Sequence, residues 1–184
     1  EAARQVELLH GQARELAAGD GHPPHVEQAT VEGELLRGGV PVWCDIREDT
    51  LNMDETKLES LITKKTKAIV PVHYAGVACE MDSIMQIADA SKLLVVEDAA
   101  HALPAADHGR MVGAIGDITC FSFYATKSIT TGEGGMATTH HAHYAERMRS
   151  MSLHGITKDA WSRYAGTGSW YYEIREPGFK YNLT

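Results

Sequence analysis

The sequence predicts an α/β fold, a largely parallel sheet covered by helices on both faces. Two observations carry this. Short apolar runs alternate with helix-length stretches of about ten residues, and the runs are continuously apolar rather than alternating, as strands buried on both faces are. A third observation sets the organisation: no internal repeat or low-complexity linker interrupts the alternation, so no domain boundary shows inside it.

Taken in order, residues 1–28 stand apart. EAARQVELLHGQARELAAG has the spacing of an amphipathic helix, and GDGHPPHVEQ follows with loop composition. The segment VEGELLRGG, residues 31–39, reads as a helix closed by Gly38 and Gly39, and Val40 to Cys44 as a short strand. Asn52 to Ile62 carries apolar residues at helical spacing, and Lys67 to Val72 reads as a buried strand. A helix from Met81 to Ser91, a strand from Leu93 to Glu97, strands near Ile118 to Phe123 and Gly135 to Thr139, and a helix from Ala142 to Met151 continue the pattern. After Gly155 the texture becomes aromatic and loop-like.

Composition narrows the function. Seventeen Lys and Arg against 25 Asp and Glu give a formal charge of −8, and no basic run is present to follow a phosphate backbone, which argues against nucleic acid as a partner. No stretch approaches the ~18 consecutive apolar residues of a membrane span, and no signal-like segment opens the chain, so a soluble, cytoplasmic protein is expected. Cys44, Cys79 and Cys120 are odd in number, widely spaced and set among apolar neighbours, the pattern of buried small side chains rather than of disulfides or zinc ligands. His140, His141 and His143 form HHAH before a helix and are read as solvated, with no metal site.

The chemistry concentrates after two strands, where open α/β sheets bind ligands. Leu93–Glu97 runs into Asp98, followed by Ala-Ala-His101. A carboxylate there either caps the next turn or meets a cation, and both readings stay open. The strand that carries Ser122 leads into Tyr-Ala-Thr-Lys127, then Ser128, Thr130, Thr131 and three glycines. Lys127-Ser128 mimics the end of a nucleoside-triphosphate loop, but the glycines which that loop needs before its lysine are absent from FSFYA. A lysine near a carboxylate, a histidine and hydroxyls suits an aldehyde cofactor with a phosphate tail, in which the lysine forms a Schiff base and the aspartate keeps a pyridine nitrogen protonated.

VVEDAAHA at 95–102, GDITCFSFYATKSITTGEGGM at 116–136, LHGITKDAW at 153–161, PVHYAG at 71–76 before CEMDSI, and the closing WYYE and KYNLT together resemble the DegT/DnrJ/EryC1/StrS family of pyridoxal-phosphate-dependent sugar aminotransferases. The resemblance covers residues 29–184. It implies a three-layer α/β/α large domain of fold type I with a mixed, mostly parallel seven-stranded sheet, here incomplete at both ends, and a homodimer with its active sites at the subunit interface. It implies Lys127 as the catalytic lysine, Asp98 as the pyridine-nitrogen partner, His101 against the cofactor ring, Ser122 on its phosphate, and Asn182 reaching the phosphate of the neighbouring subunit. His154 and Tyr172 are the candidates for substrate contact. The reaction it implies moves an amino group, from glutamate, to a keto group of a nucleotide-linked deoxy sugar; Lys127 argues against the dehydratase branch, which has histidine there. Residues 1–28 match no phosphate-binding Gly-Ser/Thr motif. A partial chain is therefore expected, with a truncated or noncatalytic relative as the alternative.

Overall fold

Six strands form one sheet: β1 (Val6–Gly11), β2 (Gly39–Cys44), β3 (Thr66–Val70), β4 (Leu94–Asp98), β7 (Ile118–Ser122) and β8 (Gly135–Thr138), in the order β2-β1-β3-β4-β7-β8. The structure, a computed structural model, describes residues 6–11, 36, 38–156 and 173–181. Every neighbouring pair is parallel except β7 and β8, so the sheet is mixed and mostly parallel, as expected. Between β4 and β7 a small hairpin, β5 (Ala106–Asp107) with β6 (Arg110–Met111), stands outside the sheet.

The strand β3 is continuously apolar where both of its faces are covered. In β3, Ala68, Ile69 and Val70 are buried, as are Val95 and Glu97 in β4. The helix α2 (Met81–Ser91) buries Met81, Ile84 and Ala88, spaced three and four apart on one face, and Lys92 closes it in the left-handed region at φ 56°. These join Cys44, Met53, Leu58, Ile69 and Val95 in the main core, and Ala99, Ala102, Val112 and Phe121 form a second, smaller cluster. Each large apolar side chain so buried contributes roughly 1.5–3 kcal/mol. The helix α3 (Ala142–Met151) follows β8 at the bounds the sequence predicts.

Three elements differ from the sequence reading. Val6–Gly11 is a strand, not part of a helix: it pairs with β2 on one side and β3 on the other, and a slot between two parallel strands overrides helical spacing. The helix expected over Asn52 to Ile62 shrinks to a 3₁₀ turn (Glu55–Lys57) and α1 (Leu58–Leu61). Asn52 is unavailable to that helix, since its buried amide bonds the Val77 and Ala78 carbonyls and accepts from the Tyr74 N–H, and Asp54 caps the turn from Thr56. The β5–β6 hairpin was not anticipated; its turn is His108-Gly109, at φ 46° and 80°. Arg110 bonds Asp82 at the start of α2 and lies 3.3 Å from Asp107, which ties the hairpin to the helix.

Cys44 and Cys79 are buried as expected, and burial pushes their thiols up to about 11 and about 12. Cys120 departs from the expectation. It is exposed, because its place on β7 faces away from the core. The C-terminal residues 173–181 return onto the end of α3, with His154 N–H donating to Phe179 O at 2.8 Å and Arg175 N–H to Gly155 O at 3.0 Å. The helix predicted over residues 31–39 lies outside the described residues apart from Leu36 and its closing glycines. Among the described residues, no helix is long and apolar enough to cross a membrane.

Candidate functional site

Asp98 is the last residue of β4, and its backbone is held from both sides. Its N–H donates to Pro71 O at 2.9 Å, its carbonyl accepts from His73 N–H at 3.0 Å, and the next amide, Ala99, donates to Cys120 O at 2.8 Å. The carboxylate Oδ1 accepts the Ala100 N–H at 3.0 Å, so Asp98 caps the turn that carries His101. The capping reading is therefore realised, on a turn rather than on a helix.

His101 joins the predicted residues. Its ring is half-buried and lies 6.2 Å from that of Tyr74. Burial lowers the imidazole pKa, the Lys127 ammonium lowers it further, and Asp98 opposes them. His101 thus feels both Lys127 and Asp98, and at neutral pH it is a neutral ring. Beside it the turn Tyr74–Gly76 bends through the left-handed region, at Ala75 and Gly76.

Lys127 sits in the turn after β7, with its N–H on Tyr124 O at 2.9 Å. The loop 124–134 is pinned at its root, since Phe123 N–H bonds Gly134 O at 2.8 Å and Thr131 N–H bonds Phe123 O at 3.0 Å. The hydroxyls of Thr130 and Thr131 are committed to the loop's own carbonyls, so they brace the lysine turn. Ser122 Oγ accepts the Tyr124 N–H at 3.3 Å. Lys127, His101 and Ser122 line one cleft of about 180 Å³ together with Ala75, Thr126 and Ser128.

His154 lies elsewhere, exposed in the turn after α3, with φ 59°. Asn182 and Tyr172 lie outside the described residues. Of the HHAH histidines, His141 bonds Asp117 at 2.9 Å, and the rings of His140 and His143 pack beside it. The sequence reading missed His73, Asn52, Glu97 and Thr119, four buried polar residues: His73 and Thr119 bond the Glu97 carboxylate, and Asn52 accepts the Tyr74 N–H. The available signal was Glu97 itself, a second acid in a strand of valines.

The glycines after Lys127 have different reasons. Gly132 sits at φ 82° with open space around it, whereas a Cβ on Gly135 would lie 2.6 Å from Phe121 O, inside the β7–β8 pair. Gly135→Ala is expected to cost about 1–3 kcal/mol, read as a lower midpoint in urea unfolding, and Gly132→Ala less.

The model of the DegT/DnrJ/EryC1/StrS aminotransferase family matches residues 23–184. The spore coat polysaccharide biosynthesis protein SpsC of Bacillus subtilis is 53% identical over 160 residues, 87% of this chain and 41% of its own length. The Streptococcus pneumoniae protein Spr1654, solved in its PLP form, superposes with a TM-score of 0.78 at 31% identity over 99% of this chain and 46% of its own. DesI, solved in the presence of its TDP-sugar product, gives a TM-score of 0.69 at 33% identity over 82% of this chain and 36% of its own. The chain spans just over two fifths of the length of the curated relatives it matches. With a family match that takes in the Asp98 and Lys127 turns alike, the chain belongs to the DegT/DnrJ/EryC1/StrS aminotransferase family.

Proposed function

We propose that this chain is part of the large domain of a pyridoxal-phosphate-dependent aminotransferase, one that moves an amino group from glutamate to a keto group of a nucleotide-linked deoxy sugar. The observation that carries the reading is a single cleft lined by Lys127, His101 and Ser122, with His101 under the charges of both Lys127 and Asp98. The residues fit the cofactor: a half-buried amine for its aldehyde, a buried carboxylate for its pyridinium, a neutral ring to lie against its own ring, and a hydroxyl for its phosphate. SpsC, by name, serves spore coat polysaccharide, which supports a sugar as the acceptor here, and DesI was solved with a TDP-sugar product, which supports a nucleotide-linked one.

The cofactor, when bound, supplies an electron sink for the carbon that loses its proton. The residues of the chain do the rest. Lys127 would hold the cofactor through Nζ and would carry the transferred proton at the same nitrogen. Asp98 would meet the pyridine nitrogen with its carboxylate, on a strand end whose backbone is held from both sides. Ser122 would donate to the cofactor's phosphate, and Asn182 of a second subunit would add an amide, so a homodimer is the working unit of this reading, and the cytoplasm its proposed compartment.

The test is to add pyridoxal phosphate to the purified chain, reduce with borohydride and map the label by peptide mass. A single label on Lys127 is the expected result. Label scattered over exposed lysines such as Lys64 and Lys65, or none, overturns the proposal. In the full-length protein, glutamate and a TDP-linked keto sugar should yield the aminosugar by mass spectrometry.

A further inference from the structure

We infer that the buried cluster of His73, Glu97 and Thr119 is a positioning device for Asp98, acting from behind the cleft through the strands on either side. The inference rests on the reading of Asp98 as the partner of the cofactor's pyridine nitrogen. Glu97 precedes Asp98 on β4, so the two side chains point to opposite faces of the sheet. Glu97 and His73 are both fully buried.

The Glu97 carboxylate is saturated with donors. Oε2 meets His73 Nε2 at 2.9 Å, and Oε1 accepts from Gly116 N–H at 2.7 Å and from the Thr119 hydroxyl at 2.6 Å. The Cys79 N–H donates to His73 Nδ1 at 3.1 Å, which assigns the ring proton to Nε2 and makes His73 a neutral donor. Burial pushes the Glu97 pKa up, and the hydrogen bonds from His73, Thr119 and Gly116 outweigh it and hold the pKa below its ordinary value. The core thus contains a carboxylate with no full cation beside it. Apolar side chains in place of Glu97, His73 and Thr119 together would pack there at comparable cost, so what the set adds is specificity of arrangement.

Its partners show which arrangement. His73 follows β3 and Thr119 belongs to β7, the two strands that flank β4. The same two neighbours hold the Asp98 peptide, through Pro71 O, His73 N–H and the Ala99–Cys120 bond. Side-chain bonds from Glu97 and backbone bonds from Asp98 therefore close one ring around the strand end, and neither strand can shift without breaking both. The fit is tight: a Cβ on Gly116 would lie 2.9 Å from Glu97 Oε1. His73 also begins the Tyr74–Gly76 turn, whose Ala75 lines the cleft, so the cluster fixes that wall too.

The experiment compares Glu97→Gln and Thr119→Val with Ile84→Val, a core change of similar size on α2 away from Asp98. Pyridoxal phosphate affinity, from the borohydride-fixed label on Lys127, and amide exchange of residues 96–102 are read at a temperature where all are folded. The expected result is about tenfold weaker affinity and faster exchange at 96–102 in both cluster variants, with neither change in Ile84→Val. Wild-type affinity and exchange in the cluster variants, or equal shifts in Ile84→Val, would overturn the inference. If wild type itself takes no label on Lys127, the cofactor reading fails, and unchanged exchange at 96–102 then overturns the positioning claim as well. Thr119→Val, which removes one donor at constant shape, decides the matter if Glu97→Gln does not fold.

Discussion

Lys127→Ala should lose the borohydride-fixed label altogether while unfolding at nearly the wild-type denaturant concentration. The lysine is half-buried in a turn, and the backbone bond to Tyr124 O survives the change, so its effect on stability should stay within about 0.5 kcal/mol. No other amine lines the cleft among the described residues. In the full-length enzyme turnover should fall on the order of 10⁴-fold or more, because nucleophile and base are lost together. Lys127→Arg should not restore it, since a guanidinium neither condenses with an aldehyde nor gives up its proton. A second readout needs no cofactor. His101 loses the ammonium that lowers its pKa while Asp98 goes on raising it, so its NMR titration should move up. An unmoved His101 would place Lys127 outside the cluster. Asp98→Asn should be milder, about 10²–10³-fold in turnover, because the amide oxygen still accepts the Ala100 N–H and only the charge is gone.

What the sequence could disclose was whatever depends on near neighbours. The buried strands β3 and β4 and the face of Met81, Ile84 and Ala88 are written as local patterns, and the family motifs mark Asp98 and Lys127. His73 and Glu97 are 24 residues apart, and Glu97 and Thr119 are 22 apart, so their bond exists only once β3, β4 and β7 lie side by side. β1 was misread for the same reason: its residues suit a helix, and only the slot between β2 and β3 makes them a strand. Asn52 reads as the first residue of a helix until the turn at 74–78 arrives to be held by it. The hydroxyls of the lysine loop show the converse error. Their chemistry was legible and their partners were not, and the structure commits the exposed Thr130 and Thr131 hydroxyls to the carbonyls of Phe123 and Glu133 as braces.

Glu97→Ala should cost about 3–5 kcal/mol, the range for removing one member of a buried ionic or charge-assisted set. The reason is the donors left behind. His73 Nε2–H, Gly116 N–H and the Thr119 hydroxyl all point at the removed carboxylate, and each is buried. Against a typical domain stability of about 5–15 kcal/mol, that is a large fraction. Glu97→Gln should cost less, since one amide oxygen can still accept, but its NH₂ must then face a donor. His73 cannot yield by switching tautomer, because its Nδ1 is already taken by the Cys79 N–H. The two variants should also differ from wild type in acid. The Glu97 pKa is lower in the folded chain than in the unfolded one, so its contribution is full above the unfolded value and is lost as pH falls through the folded one. Urea melts taken from neutral pH down through the ordinary glutamate range of about 4 should therefore show a steep loss of wild-type stability and a shallower one in Glu97→Gln. Parallel acid limbs would mean that Glu97 is not charged in the fold, and the carboxylate would then be a neutral hydrogen-bonding group rather than the anion around which three strands close.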